Sequence, residues 1–167
     1  ITDTLENEEL GFSSIQVSGL HRTESELLDK NVILQNHFGG HINYNYKQLN
    51  LGLSYYNTKI EGDYQKIIYP YNQFDFSRNS NQNFGFDYQF LYKNMNFFGE
   101  IARSENGAIA HINGLMLGLD KTLSASLLFR DFAKDYQSIY ANAFAEGDAQ
   151  NEKGVYMGLE YRPNHKL

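Results

Sequence analysis

The 167-residue chain has no cysteine, no tryptophan and only two prolines. The missing cysteine excludes disulfides, thiolate metal sites and cysteine nucleophiles. No apolar run approaches the ~20 residues that a transmembrane helix needs, and mean hydropathy is only −0.54. The net charge of −6 argues against a strongly nucleic-acid-binding surface. Low mean hydropathy is compatible with a membrane β-barrel, because every second residue of its strands faces a polar interior.

What the sequence does contain is aromatic residues in regular alternation, with 13 Tyr and 12 Phe. Residues 41–55 alternate between apolar and polar side chains, and the phase shifts at Lys47-Gln48. Period-2 alternation predicts β-strands, and the shift predicts a two-residue turn between them. The same design recurs at 83–102 around Lys93-Asn94, at 114–130 around residues 120–122, and in a last strand at 154–161. A weaker strand is predicted near residues 12–20.

The predicted connections are asymmetric. Short turns fall near residues 47, 93, 121 and 164, whereas long polar loops fall near 22–35, 57–80 and 131–152, with one short link near 104–108. Short periplasmic turns and long outer loops are typical of outer-membrane barrels. The sequence therefore predicts an all-β, antiparallel up-and-down transmembrane barrel, or a segment of about eight strands, with residues 1–167 as a single domain or part of a larger barrel.

Three features favour the membrane over a soluble sheet. Strands of roughly 9–11 residues match a tilted bilayer span. The apolar face carries no charge until Arg103, and tyrosines 46, 92 and 161 stand beside the short turns, where an interfacial girdle belongs. The residues predicted to face lipid are Ile42, Tyr44, Tyr46, Leu49, Leu51, Leu53, Phe84, Phe86, Phe90, Phe97, Leu115, Leu117, Leu127 and Leu159. The alternative is a soluble lipocalin-like barrel that binds an apolar ligand.

The polar positions include the residues that could carry chemistry. The residues predicted to face a lumen are His41, Asn43, Ser54, Asp87, Glu100, Arg130, Glu160 and Arg162. Register places Ser54 opposite His41, and with Asn43 nearby these residues could act in a barrel hydrolase. No nucleophile motif surrounds Ser54, so we predict no enzyme. Asp87 opposite Glu100 is interpreted as part of a lumenal charge network, and no histidine spacing indicates a metal or another cofactor.

Four segments resemble one known family. They are Gly-Phe-Ser-Ser-Ile-Gln-Val-Ser-Gly-Leu-His-Arg-Thr at 11–23, Asn-Phe-Phe-Gly-Glu-Ile-Ala at 96–102, Asn-Ala-Phe-Ala-Glu at 142–146 and Asn-Glu-Lys-Gly at 151–154. They look like the barrel portion of a Bacteroidetes outer-membrane family whose members carry a helix-hairpin-helix, competence-protein-like region. That region does not appear in this sequence, so the resemblance implies no direct nucleic-acid binding by these residues.

The family's barrels are longer than this chain. We therefore expect a segment of a larger barrel, with a complete eight-strand barrel as the competing interpretation. The resemblance implies a location in the bacterial outer membrane. The expected partners are the lipid bilayer, the remainder of a larger barrel and other envelope proteins. The expected role is structural or transport-associated.

Overall fold

The computed structural model of the chain describes residues 2–4, 10–12, 20, 22–28, 30, 33–64, 68–141 and 143–163. Its regular structure is almost entirely β, which confirms the all-β class that the alternation predicted. The elements, in chain order, are β1 (Thr2–Thr4), β2 (Leu10–Phe12), α1 (Glu24–Leu28), β3 (Gln35–Tyr46), β4 (Leu49–Ile60), β5 (Asp63–Tyr64), β6 (Ser80–Tyr92), β7 (Met95–Ser104), β8 (Ile109–Asp120), β9 (Leu123–Phe132) and β10 (Glu152–Tyr161).

Seven of these strands form one antiparallel up-and-down sheet in the order β10-β9-β8-β7-β6-β4-β3. Apart from the short β5, strands that are consecutive in the chain are neighbours in the sheet, which is the predicted meander. Across the described ranges the sheet is open, with β3 and β10 as its edge strands. The strand predicted near residues 12–20 falls mostly on residues 13–19, outside the described residues. Closure into a barrel therefore stays a prediction.

Two-residue turns join the long hairpins at one end of the sheet. They lie at Lys47-Gln48, Lys93-Asn94 and Lys121-Thr122, where the sequence predicted turns. The first two lysines adopt the left-handed backbone conformation, with φ of 51° and 53°, which is uncommon for a residue with a β-carbon and is compatible with a tight turn. Each of these two ammonium groups lies over the ring of the preceding tyrosine, 5.1 Å from the Tyr46 centroid and 5.3 Å from the Tyr92 centroid. The turn predicted near residue 164 lies outside the described residues.

The strand register agrees with the register expected from the alternation. β6 and β7 pair Phe90 with Phe97, and Asp87 with Glu100. A slip of one residue would move every side chain of a strand to the opposite face, so the register also fixes the composition of both faces.

The two faces of the sheet differ sharply in composition. We call the first the apolar face; its residues are Ile42, Tyr44, Tyr46, Leu49, Leu51, Leu53, Tyr55, Phe84, Phe86, Tyr88, Phe90, Tyr92, Met95, Phe97, Gly99, Ile101, Ile109, His111, Asn113, Leu115, Leu117, Leu123, Ala125, Leu127, Phe129, Val155, Met157, Leu159 and Tyr161. The opposite side, which carries His41, Ser54, Asp87, Glu100 and Arg130, is the polar face.

Burial runs against hydrophobicity in this sheet. Ile42, Met157 and Leu159 on the apolar face are 75%, 76% and 73% exposed. The core cluster of the described residues, Ala108, Ala110, Phe132 and Tyr136, instead lies on the side of the polar face. The sheet therefore packs against its own chain through the polar face and leaves the apolar face uncovered.

The chain divides into two compact units, Ile1–Phe38 with Asn57–Asn81, and Gly39–Tyr56 with Gln82–Leu167. In the first, β1 and β2 pair antiparallel and β2 and β5 pair parallel. Its helix α1 begins with a capping box, in which the Glu26 amide donates to the Thr23 hydroxyl and the Thr23 amide donates to the Glu26 carboxylate, both at 3.3 Å. The site described below lies entirely in the second unit.

Candidate functional site

The polar face holds the side chains that the sequence grouped as lumen-facing. The structure brings most of them into three groups, which are His41 with Ser54, Asp87 and Glu100; Arg130 with partners that the sequence did not identify; and Glu160 with Arg162. Asn43 lies two residues from His41 on the same side of β3 and joins none of the three.

The His41 group lies on the polar face near the β3 edge of the sheet, on strands β3, β4, β6 and β7. Nδ1 of His41 lies 2.9 Å from Oγ of Ser54 and 3.8 Å from a carboxylate oxygen of Asp87. Two glycines make room for these side chains. The Asp87 carboxylate lies directly over Gly52, and a β-carbon at Gly85 would be 3.3 Å from the Ser54 β-carbon. A side chain at either glycine would therefore disturb the group.

The His41 group lacks the geometry of a catalytic triad. In a triad, one imidazole nitrogen takes the proton of the serine while the carboxylate holds the other nitrogen. Here Ser54 and Asp87 both face Nδ1 of His41. Strand β4 also lies between β3 and β6, so its backbone N–H groups serve the sheet rather than an oxyanion hole. The arrangement is that of a polar cluster with one hydrogen bond, between His41 and Ser54.

Arg130 on β9 forms the most extensive group. Its side chain is only 12% exposed, and it forms ion pairs with Glu152 of β10 and, at 3.6 Å, with Glu146. Nη1 donates a 3.0 Å hydrogen bond to the carbonyl of Phe144, and the guanidinium lies 5.4 Å from the centroid of that ring. The opposite residue on β10 is Gly154, which leaves space for the guanidinium. Arg130 therefore connects β9, β10 and the loop between these two strands.

The loop between β9 and β10, residues 133–151, folds back over the polar face; we call it the polar-face loop. Tyr136 packs in the core cluster with Ala110 and Phe132. The Asn83 side chain donates a 2.9 Å hydrogen bond to the carbonyl of Gln137, whose amide donates to Oγ of Ser104 at 3.3 Å. The sequence predicted only a long polar outer loop near residues 131–152.

Described residues of the polar face line two cavities. One, of ≈500 Å³, lies near the two-residue turns and includes Asn96, Ser124 and Glu160 in its wall. The other, of ≈340 Å³, lies between the sheet and the polar-face loop. The sequence predicted neither, although the run of alanines at 141, 143, 145 and 149 is a signal for close packing of this loop.

Tyr136 should make docking of the polar-face loop sensitive to alkaline pH. Burial, assisted by the Glu100 carboxylate, raises the pKa of the Tyr136 phenol above its ordinary value of 10.0. The docked loop therefore keeps the phenol protonated while the undocked loop releases the proton, so stability is fully present below pH 10 and falls as pH rises through the raised pKa. We expect the protection of the Gln137 and Ala145 amides from hydrogen exchange, measured relative to the base-catalysed rate of an unstructured amide at the same pH, to fall above pH 10. Tyr136→Phe should remove this dependence, and an unchanged dependence in that variant would contradict the assignment.

Within the described ranges, no group of three His, Asp or Glu side chains is arranged to hold a metal ion. In that same part of the chain, no helix has the length and apolar character to cross a membrane.

The chain matches no protein-family model, no curated protein and no solved structure. The resemblance to the helix-hairpin-helix barrel family therefore stays a prediction.

Proposed function

We propose that the chain is a bacterial outer-membrane β-barrel protein, or a segment of one, with a non-enzymatic structural or transport-associated role in the cell envelope. The uncovered apolar face carries this proposal. Soluble monomers rarely expose a contiguous apolar patch larger than a few hundred Å². Here the exposed apolar side chains run across all seven strands, from Ile42 on β3 to Leu159 on β10. Hydrocarbon is the environment in which such a face is stable.

The dimensions of the apolar face support a bilayer contact. Uncharged apolar-face residues extend from Leu123 to Phe129 on β9 and from Phe84 to Tyr92 on β6. The stretch on β6 is nine residues long, which reaches the ~9–11 residues with which a tilted strand crosses a bilayer, and the stretch on β9 is seven residues long.

Charged side chains on this side of the sheet support the same orientation. Asp131 and Lys153 form an ion pair of 2.6 Å at the end of the sheet away from the two-residue turns. Arg103 lies at that end too, opposite Phe84 and Ile109. Charges at the bilayer midplane are costly and those near the interface are not, so this distribution suits a membrane face.

The end with the two-residue turns supports an interfacial position. Tyr46 and Tyr92 lie beside lysines whose ammonium groups cover their rings. Tyrosine and lysine together favour the headgroup region, where a ring meets hydrocarbon and a polar tip meets water.

The polar face would line the lumen, with lipid, further strands of a larger barrel and other envelope proteins as partners. His41, Asp87 and Glu100 would then meet water rather than hydrocarbon. The His41 group lacks triad geometry, which supports a non-enzymatic role. A soluble lipocalin-like barrel receives less support, since it would turn its apolar side chains toward an enclosed ligand.

Reconstitution tests the proposal. The full chain should insert into preformed phosphatidylcholine liposomes and then migrate faster on a gel in unheated detergent than after boiling, because a closed strand barrel resists the detergent. The membrane assignment would be contradicted by a chain that remains a monomer in buffer without detergent and does not float with liposomes in a density gradient. In that case, an apolar ligand retained in native mass spectrometry would support the lipocalin-like alternative.

A further inference from the structure

The ≈340 Å³ cavity between the sheet and the polar-face loop is lined mainly by carbon. Its walls include Ala102, Ala110 and Ile112 from the sheet and Ala143 and Ala149 from the loop. Alanine side chains leave space that larger residues would fill. The volume lies at the lower end of the ~300–1,000 Å³ range of ligand pockets. Such a cavity would accommodate a small apolar body.

Aromatic rings form a second part of the wall. Phe132, Tyr136 and Phe144 all line the cavity. The Phe144 ring is already approached by the Arg130 guanidinium on one side. The faces of aromatic rings attract cations as well as apolar groups, so this part of the wall suits either.

Among the described residues of the cavity wall, Glu100 is the one carboxylate. It forms no ion pair or hydrogen bond with any described residue. Arg130 shares a register row with Glu100 through Ile112, and it is already paired with Glu146 and Glu152. Asp87, opposite Glu100 in the strand register, adds a further negative charge. The local charge around the cavity is therefore negative, and the carboxylate at its wall is available.

We propose that this cavity is a binding site for a small organic cation, in which an apolar body packs among the alanines and rings and an ammonium group pairs with Glu100. An anionic ligand would face Glu100 without a free cation to compensate it, and a purely apolar ligand would leave the carboxylate without a partner. The proposal goes beyond the function in the envelope and does not depend on membrane insertion, because the sheet and the loop alone build the cavity.

Calorimetric titration of the full chain in detergent micelles tests the site. The probes are 2-phenylethylammonium and its neutral analogue 2-phenylethanol, which share the same apolar body. The charged probe should bind about 10-fold more tightly, since a charge-assisted hydrogen bond contributes roughly that factor. No binding of the ammonium probe up to millimolar concentration, or equal affinity for both probes, would overturn the proposal.

Variants separate the charge from the cavity. Glu100→Gln should weaken binding of the ammonium probe by about 10-fold and leave the affinity for the alcohol almost unchanged. Glu160→Gln removes a carboxylate from the same face outside this cavity, and it should leave both affinities unchanged. Ala149→Leu should weaken both probes by filling the space, with Ala143→Leu as a second filling variant if the first fails to fold. Glu100→Gln without effect, or filled variants that bind as tightly as the unaltered chain, would refute the site.

The same titration distinguishes this proposal from the function proposed above. If the chain inserts into liposomes but binds neither probe, the cation site fails and the barrel stands. If the chain is soluble in buffer and still binds the ammonium through Glu100, the site stands and the membrane assignment fails.

Discussion

Ile42→Arg should lower the free energy of unfolding of the chain in a bilayer by about 2–4 kcal/mol. This is the cost of an arginine near the midplane of a barrel's lipid-facing surface. Ile42 is 75% exposed and lies on the apolar face of β3, two residues before Tyr44. If this face met water, arginine at so exposed a position would change stability by at most about 0.5 kcal/mol. Urea unfolding of the chain in liposomes measures the difference directly.

Asn43→Arg is the matched control. Asn43 is the next residue of the same strand and points to the polar face. Arginine there would reach the lumen and should leave the unfolding midpoint in liposomes almost unchanged. Equal effects of the two substitutions, or a larger effect at position 43, would be incompatible with the assignment of the two faces.

Arg130→Ala should destabilise the polar-face loop more than any surface change in it. The side chains of Arg130 and Glu152 are only 12% and 18% exposed. Removing one partner of a buried pair leaves an uncompensated charge, and it costs roughly 3–5 kcal/mol. We expect a lower unfolding temperature and cleavage by trypsin after Lys134, which the docked loop holds through a 2.6 Å hydrogen bond from Gln150 to its carbonyl.

Two further variants decide whether the effect comes from the buried charge. Arg162→Ala removes the other arginine–glutamate pair of this face, with Glu160, whose side chains are 76% and 55% exposed. Solvent screens that pair, so the variant should behave like the unaltered chain. The double variant Arg130→Met, Glu152→Leu removes both charges and should recover most of the lost stability. If the Arg162→Ala variant is cleaved by trypsin and unfolds at the same lowered temperature as the Arg130→Ala variant, burial of the charge is not the cause of the destabilisation.

The parts of the fold that the sequence predicts are those that local rules govern. Period-2 alternation and two-residue turns set the register of β6 and β7 without knowledge of any distant contact, which is why Asp87 opposite Glu100 was predictable. Even the apolar Phe98, which interrupts the polar pattern, has a local explanation. Its ring lies over Gly114 on the neighbouring strand, and a β-carbon there would collide with it.

The candidate site was predictable only in part. Arg130 falls on the polar face by alternation, but its partners Glu146, Phe144 and Glu152 do not follow from it. The polar-face loop has no periodicity, and its position depends on contacts with Ala110, Asn83 and Ser104, which lie far from it in sequence. The cavity arises from the same docking. Loop conformation set by non-local packing is therefore the point at which reasoning from local pattern ends.

The most direct test of the central claim is a nitroxide scan of β3 in liposomes. The chain has no cysteine, so a single label can be placed in turn at each of positions 42–46. We predict that the labels at 42, 44 and 46 are accessible to oxygen dissolved in the bilayer, and that those at 43 and 45 are accessible to a water-soluble nickel chelate. Equal accessibility at all five positions, or nickel access at 42 and 44, would contradict a lipid-facing apolar surface.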